Sequence, residues 1–162
     1  MVTLRRLTLD DAPAMARIYR GASVRFTHGE DYRMTVEDAA VRMKNIHDQD
    51  RAIPRTHWNL GITVAGDLIG VIKSRKHSPD LATLSYILRE DTWGHGHATD
   101  AVRQFVPIVF AEAAVTRLEA KHHPDNPASG RVLAKSGFTR LGVHEGYTEY
   151  RIAPPSPNRK IR

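Results

Sequence analysis

The sequence predicts an α/β (α+β) fold, with one mixed, twisted sheet of about seven strands and helices on both faces. Three alternating apolar runs joined by tight turns, within residues 57–88, predict an antiparallel meander. A long apolar helical run then separates the third of these strands from the next strand along the chain. Such a strand–helix–strand order pairs two strands in parallel through a right-handed crossover. The predicted order for the whole chain is strand, two helices, three strands, helix, strand, helix and two strands.

The N-terminal part of the chain combines a short strand with two helices. Leu4, Leu7 and Leu9 mark the strand, and Pro13 is typical of the first turn of a helix. Residues 22–34 predict an irregular loop. Thr35 begins the second helix, with Asp38 three residues later as a variant of the capping box. The helical spacing predicts these buried faces: Met15, Ile18 and Tyr19 in the first helix, and Ala39, Ala40, Met43 and Ile46 in the second.

The remaining elements follow from apolar periodicity and from the turn residues between them. The predicted strands are His57–Val64, Leu68–Lys73, Leu81–Leu88, Leu118–His122, Phe138–Val143 and Tyr147–Ile152. The predicted helices are a long one from about Gly94 to Ala114 and a shorter one that starts at Asn126 or Ser129. We expect residues 1–152 to form a single domain. Residues 153–162, with three prolines and three basic residues, are expected to form a loose C-terminal tail.

Composition excludes several classes of protein. A chain of 162 residues with 41% hydrophobic and 26% charged residues is long enough for one domain with a buried core. It has no run of 18 apolar residues that would span a membrane, and no apolar segment typical of a signal peptide. Cysteine is absent, which excludes disulfides and thiolate chemistry. These features favour a cytoplasmic protein with no membrane partner.

The net charge of +6 admits either nucleic acid or a polyanionic small molecule as a partner. No block of five like charges occurs, and no aromatic residues are interleaved with the arginines. Dedicated nucleic-acid binding is therefore disfavoured.

The stretch Trp-Gly-His-Gly-His-Ala-Thr-Asp at residues 93–100 lies between an apolar strand and an apolar helix. Small residues at such a junction let the backbone approach a ligand. The first N–H groups of a helix have no internal partner, and the helix dipole adds positive charge, so a phosphate or pyrophosphate fits there. A tight turn with no ligand is the alternative. We predict no metal at His95 and His97, because a His-x-His pair at a helix start directs its rings apart and has no carboxylate at ligand spacing.

Two motifs in this order of elements resemble the GNAT superfamily of acyl-CoA-dependent N-acyltransferases. Residues 84–101 look like its motif A, [R/Q]-x-x-G-x-[G/A], in which Gly96 and Ala98 match and Trp93 replaces the usual Arg or Gln. A Trp-Gly pair there is typical of the branch that resembles the ribosomal-protein acetyltransferases RimJ and RimL. Residues 125–138 are similar to the Asn-x-x-Ser and Gly-Phe signature of that branch. The resemblance covers about residues 1–152.

The resemblance implies acetyl-CoA as cosubstrate. The pyrophosphate would bind the backbone N–H groups of the α-helix start, and protonated histidines there would help. Backbone groups at the end of the preceding strand would hold the pantetheine arm like an added strand, and an asparagine would hydrogen-bond it. Two arginines are candidates for phosphate contacts. The implied cofactor-binding residues are Gly94, His95, Gly96, His97, Ala98 and Thr99 at the helix start, Ile87, Leu88 and Arg89 at the strand end, and Asn126, Ser129 and Arg131.

The implied reaction moves the acetyl group to a primary amine by direct attack in a ternary complex, which agrees with the absence of cysteine. Leu133 occupies the position at which many relatives carry a catalytic Tyr, and Ser129 matches the serine that replaces it as general acid in the RimL-like branch. A helix-capping hydroxyl is the alternative role. Relatives often place a Glu base ahead of Tyr86, where this chain has Thr83 and Ser85. The candidates for the base are therefore His28, Glu30 and Asp31, His122 and His123, or a chain of water molecules.

Two loops are expected to line the acceptor entrance in this fold. The first offers His28, Glu30, Asp31 and Tyr32, and the second offers His144, Glu145 and Tyr147. Their acidic residues predict a locally negative entrance that attracts a cationic amine, either a small molecule or the N-terminus of a ribosomal or other protein. Solvated loop charges without a ligand are the alternative. A non-catalytic acyl-CoA-binding domain and a nucleic-acid-associated protein are the two other classes, and the chain is expected to be a monomer or homodimer.

Overall fold

The computed structural model of the protein describes residues 1–29 and 31–155. These residues form a seven-stranded sheet in the order β1-β2-β3-β4-β5-β7-β6, with helices on both faces, which confirms the predicted fold class. All neighbouring strands are antiparallel except β4 and β5. The strands are β1 (Thr3–Arg5), β2 (His57–Val64), β3 (Asp67–Lys76), β4 (Leu81–Leu88), β5 (Arg117–His122), β6 (Thr139–His144) and β7 (Tyr147–Ile152). The helices are α1 (Ala12–Ile18), α2 (Val36–Arg51), α3 (His97–Ala113) and α4 (Pro127–Lys135).

The two faces of the sheet carry separate apolar clusters. Met15 and Ile18 of α1 and Met43 of α2 pack with Val71 and Ile87 on one face. On the other face α3 and Leu133 of α4 pack with the intervening residues of the same strands, such as Ala82, Leu84 and Leu88 of β4. Because side chains alternate along a strand, neighbouring residues of β4 serve opposite sides of the sheet. This alternation positions the two cavities described below.

The predicted capping box of α2 is confirmed. The Thr35 Oγ1 accepts a hydrogen bond from the Asp38 N–H at 3.0 Å, and the Asp38 carboxylate accepts one from the Thr35 N–H at 3.1 Å. Both bonds satisfy N–H groups that a helix start leaves unpaired. The loop before α2 is thereby fixed in position at its C-terminal end.

Predicted boundaries differ from the structure at several elements, and two of these differences have a clear physical reason. Leu7 and Leu9 lie outside β1, and Leu9 is 66% exposed in a short 3-10 turn, because the chain turns away from the sheet after Arg5. Helix α3 begins at His97 and not at Gly94, since Gly94 and Gly96 both adopt left-handed backbone conformations that a right-handed helix excludes.

The parallel pair is short. Only Leu81–Thr83 of β4 pair with β5, opposite Arg117–Glu119, after which the two strands separate. The second half of β4 stays paired with β3, and the second half of β5 stays paired with β7. A gap therefore opens in the middle of the sheet. Among the described residues, no helix combines the length and apolar character needed to span a membrane. Of the predicted tail, residues 153–155 follow β7 as irregular chain, and the rest lies outside the described residues.

Candidate active site

A cleft of about 600 Å³ lies where β4 and β5 separate. Four segments line it: the loop at residues 22–26, the end of β4, the start of α3 and the N-terminal half of α4. The opening of the sheet thus coincides with a helix start, a combination that suits a ligand with an anionic end and an extended arm.

The start of α3 depends on two glycines. Gly94 and Gly96 have φ angles of +79° and +77°, a region that side-chain-bearing residues rarely adopt. A Cβ atom at either position would meet nothing within 4 Å, so the backbone conformation and not lack of space requires glycine. The first intrahelical bond runs from the Asp100 N–H to the Gly96 carbonyl at 3.1 Å, which leaves the N–H groups of His97–Thr99 without helical partners. These three residues line the cleft.

The Asp100 carboxylate does not bind the free N–H groups at the start of α3. Its carboxylate accepts the Val2 N–H at 2.7 Å and the Gln104 side-chain amide at 3.2 Å, and the Val2 bond, the largest cause, lowers the pKa of Asp100. The acidic residue in the first turn of α3 is therefore used to anchor β1. The helix start that faces the cleft keeps its positive character.

Most of the predicted cofactor-binding residues lie around this cleft. Those that line it are Ile87, Leu88, Gly94, Gly96, His97, Ala98, Thr99, Asn126, Ser129 and Arg131. His95 is exposed outside the lining, with its ring 5.7 Å from that of His97. Among the residues that the structure describes, no group of three or more His, Asp or Glu side chains is placed to hold a metal ion.

The end of β4 is already held by protein groups. The Leu88 carbonyl accepts hydrogen bonds from the Ser23 hydroxyl at 2.6 Å and from the Trp93 indole N–H at 3.1 Å. The Arg89 N–H donates to the Ile69 carbonyl at 2.7 Å. Two of the backbone groups predicted to bind the pantetheine are therefore engaged. Trp93, where the family pattern has Arg or Gln, instead fixes the strand end beside the cleft.

Arg89 is not brought to the cleft. Its guanidinium donates to both oxygens of Asp67, at 2.9 and 3.2 Å, and to Asp91, at 2.6 and 3.2 Å. These bonds raise the pKa of Arg89 and lower the pKa of both carboxyl groups. Two carboxylates neutralise the cation, so the structure does not place Arg89 as a phosphate ligand, in contrast to the expectation from sequence.

Ser129 has a partner that the sequence did not indicate. Its Oγ lies 2.9 Å from the Tyr86 hydroxyl, and both residues line the cleft. Burial raises the pKa of Tyr86 to about 12, so the phenol keeps its proton at neutral pH. Tyr86 was missed because an aromatic residue in an apolar strand is usually a core residue. No signal in the sequence indicated this pair, because only the structure shows that Tyr86 lies in the half of β4 that has separated from β5.

Gly130 in α4 allows a close approach between α4 and the neighbouring strands. A Cβ atom there would lie 2.6 Å from the His122 Nε2 and 2.8 Å from the Tyr150 hydroxyl. The His122 Nδ1 lies 2.8 Å from the His123 carbonyl, which can only accept. The Nδ1 therefore donates this bond, and the Nε2 is the ring nitrogen that lies beside Gly130. A glycine inside a predicted helix was the signal for this contact.

The first loop contributes residues to the cleft that differ from those expected at the acceptor entrance. Ala22, Ser23, Arg25 and Phe26 line it, whereas His28 lies outside the lining and stacks on Tyr32 with ring centroids 4.4 Å apart. Burial, with Arg42 and Lys73 nearby, lowers the pKa of His28. Asp31 is exposed. Glu30, predicted as a catalytic and acceptor-binding residue, lies outside the described residues.

The second loop gives little support for a negative entrance. Glu145 is exposed, with its carboxylate 3.9 Å from the imidazole of His144. The Lys121 ammonium lies 4.5 Å from the ring centre of Tyr147. Near this loop the cation of Lys121 accompanies the carboxylate of Glu145, and the negative entrance stays an expectation from the sequence.

Comparison with known proteins identifies the class. Residues 1–139 match the acetyltransferase (GNAT) domain family, and the chain therefore belongs to that family. The chain is 26% identical over 162 residues to the N-acetyltransferase YoaA of Bacillus subtilis, a match that spans 96% of this chain and 89% of that protein. It is 34% identical over 119 residues to the probable N-acetyltransferase YjcK of the same species, covering 70% of this chain and 64% of YjcK.

The fold is also that of solved members of the family. The structure of Mycobacterium smegmatis RimJ in complex with CoA-disulfide aligns with a TM-score of 0.79 and 22% identity, over 94% of this chain and 82% of that chain. The predictions of a GNAT enzyme, an N-acetyltransferase with acetyl-CoA as its cosubstrate, are therefore confirmed at the level of the family.

Proposed function

We propose that the protein transfers the acetyl group of acetyl-CoA to a primary amine by direct attack within a ternary complex. The observation that carries this proposal is the cleft at the gap between β4 and β5, which joins a glycine-shaped helix start to the Tyr86–Ser129 hydroxyl pair. The first feature suits a pyrophosphate, and the second suits proton transfer at a thioester.

The cofactor is expected to bind through backbone groups. The pyrophosphate accepts hydrogen bonds from the N–H groups of His97–Thr99, and the exposed guanidinium of Arg131, which lines the cleft, adds positive charge. The pantetheine arm extends into the gap beside β4, where Asn126 offers its amide. This arrangement places the thioester between the two separated strands.

Ser129 is proposed to protonate the departing thiolate. Either hydroxyl of this pair can donate, and we propose that Tyr86 donates to the Ser129 Oγ during the reaction, which leaves the serine proton free to turn into the cleft. Burial raises the pKa of Tyr86 to about 12, so the phenol keeps its proton and stays able to donate at neutral pH. Tyr86 acts on the reaction through Ser129 and is a positioning residue.

The amine must lose a proton during the attack. We propose that a histidine takes this proton through a chain of water molecules, since neither His122 nor His28 lines the cleft. The His122 Nε2 lies beside Gly130, next to Ser129 in the chain, and the His28 ring stacks on Tyr32 with Arg42 and Lys73 nearby. Glu30 stays a candidate from the sequence alone.

The finer assignments also belong to this proposal. The Trp-Gly and Asn-x-x-Ser motifs support a place in the RimJ/RimL-like branch, which leaves a small-molecule amine and a protein N-terminus as acceptors. A cytoplasmic location and a monomeric or homodimeric state are expected from the sequence.

The experiment is an acceptor panel with isotopically labelled acetyl-CoA. Release of the CoA thiol is followed colorimetrically, and the absence of cysteine means that the protein adds no thiol signal of its own. Mass spectrometry must then show labelled acetyl on an amine nitrogen. Thiol release without an acetylated amine indicates thioester hydrolysis, and acetyl-CoA binding without thiol release indicates a non-catalytic acyl-CoA-binding domain; either result contradicts the proposal.

A further inference from the structure

A second cavity, of about 480 Å³, lies on the opposite face of the sheet from the CoA cleft, beneath α2. Strands β2, β3 and β4 form its floor, and α2 with the end of α1 forms its wall. Thr83 and Ser85 belong to this face, because Ile87, two residues further on, packs against the α1 and α2 cluster. The volume is that of a small-molecule site, for which the range is roughly 300–1,000 Å³.

The charges of this cavity have one sign. Arg42 of α2 and Lys73 and Arg75 of β3 line it, and no Asp or Glu is among the described residues of its lining. Within residues 1–29 and 31–155, none of these three cations pairs with a carboxylate. Arg42 is half-buried and Lys73 and Arg75 are exposed, and partial desolvation of the ammonium group, followed by the charge of Arg42, lowers the pKa of Lys73. Like charges held together without a counter-charge favour binding of an anion.

Neutral polar groups complete the lining. Burial, followed by the charge of Arg75, lowers the pKa of His57, which favours its neutral form. The His77 Nε2 lies 2.8 Å from the Thr83 hydroxyl, and Ser85 offers a second hydroxyl on β4. An anion with a polar body therefore finds both charge and hydrogen-bonding groups here.

Strand β4 separates this cavity from the CoA cleft. Thr83 is the last residue of β4 that pairs with β5, and Ser85 lies where the two strands have separated. Tyr86, the next residue, faces the CoA cleft and contacts Ser129. A molecule held against Thr83 and Ser85 therefore lies at the edge of the gap between the strands.

We propose that this cavity is the acceptor pocket and that it selects an amine carrying a carboxylate or a phosphate group, an inference that rests on the proposed acetyl transfer. Arginine forks match the oxygens of either anion, and Lys73 adds a point charge. The same cations lower the pKa of the acceptor ammonium and so favour the neutral nucleophile. The amine nitrogen attacks the carbonyl carbon, the C–S bond breaks, the thiolate gains a proton, the amine loses one, and the anionic group is unchanged.

Two matched pairs of amines test this selectivity: glycine against glycinamide, and O-phosphoethanolamine against ethanolamine. We expect kcat/KM to favour the anionic member of at least one pair by about tenfold or more, and the better pair identifies carboxylate or phosphate. The double variant Lys73→Gln/Arg75→Gln should lose this preference. Arg42→Gln, on another element, should weaken it too. Lys44→Gln removes one positive charge from an exposed position of α2, as Arg42→Gln does from the cavity, and this control should retain the preference. Equal use of both members, or a preference that survives the double variant, overturns the proposal.

An NMR titration reads anion binding without turnover. Inorganic phosphate or acetate is added to ¹⁵N-labelled protein saturated with CoA, and we expect amide shifts at residues 73–75 and 83–85 that the double variant abolishes. Shifts confined to residues 94–99, or no shifts, contradict the anion site. Such shifts without acetyl transfer to any amine contradict the proposed function alone, whereas transfer without anionic preference contradicts the inference alone.

Discussion

The two faces of β4 are built from different kinds of group. On the α3 side, the cleft uses backbone N–H groups and two hydroxyl groups, shaped by Gly94 and Gly96. On the α2 side, the cavity uses the long cationic side chains Arg42, Lys73 and Arg75. Backbone recognition needs particular conformations, and these leave a local glycine pattern in the sequence. Side-chain recognition draws on residues from several elements and leaves no local pattern.

The difference also separates two tasks. A backbone site holds a ligand that every cycle of the reaction requires, and few single side-chain changes alter it. A side-chain site is open to change at each position and therefore suits the partner that differs between enzymes of one fold. The comparison predicts that variants on one face affect one substrate and leave the other unaffected.

The largest effect is expected from Gly96→Glu. Acetyl-CoA should raise the melting temperature of the native protein, and the variant should lose this shift, because its side chain brings negative charge to the phosphate position and opposes a φ of +77°. Differential scanning fluorimetry measures both. Gly66→Glu is the matched control, with a φ of +83° in the turn between β2 and β3, and it should keep the shift. An unchanged shift in Gly96→Glu would place the cofactor elsewhere.

Ser129→Ala should lower kcat by roughly 100-fold and leave the KM for acetyl-CoA nearly unchanged, because it removes the proton donor and little of the binding surface. Steady-state kinetics measures this separation. Ser136→Ala, which removes a hydroxyl bonded to the Val132 carbonyl at the end of α4, should keep kcat. If Ser129→Ala instead lowers the melting temperature with kcat intact, the serine has a structural role.

Tyr86→Phe should have a smaller effect, about a tenfold loss of kcat, because Ser129 keeps its proton but loses the bond that orients it. In the Ser129→Ala background the same change should have almost no further effect on kcat, since the two hydroxyls act as a unit. Additive losses in the double variant would show that Tyr86 acts independently of Ser129.

The smallest effect is expected from Glu30→Gln combined with Asp31→Asn. A negative entrance that attracts cations predicts a higher acceptor KM at low salt. The cationic cavity predicts that the KM for an anionic acceptor stays the same or falls by about twofold, because two repelling charges are removed. Measurement at low and high ionic strength distinguishes the two, and an acceptor KM that rises several-fold at low salt would favour the sequence-based expectation.

Much of the fold could be predicted because periodicity is a local property. The bounds of β2, β4 and β7 agree with the sequence pattern, and so does the capping box at Thr35. The start of α3 was misplaced because the pattern of apolar residues does not reveal the left-handed conformations of Gly94 and Gly96.

Contiguous motifs led to the expected cofactor-binding residues, most of which line the cleft, whereas contacts between distant elements were not foreseen. Arg89 was misassigned because its partner Asp67 lies 22 residues away and only the β3–β4 pairing brings the two together. His28 was expected at the acceptor entrance only because its loop is there, whereas burial and the contact with Tyr32 determine where its ring lies. The cationic cavity was missed because its residues come from α2 and β3, and only the packing of α2 on the sheet brings them together.

The most direct test of the account is the affinity of a bisubstrate analogue in which the sulfur of CoA is joined through an acetyl linker to the nitrogen of glycine or O-phosphoethanolamine. If the two faces of β4 meet through the gap, isothermal titration calorimetry should give a Kd at least about 100-fold lower than that of CoA. Gly96→Glu should abolish binding of the analogue, and Lys73→Gln/Arg75→Gln should return its affinity to that of CoA alone. An analogue that binds no more tightly than CoA would contradict the account, and so would an analogue whose Kd is the same for the double variant as for the native protein.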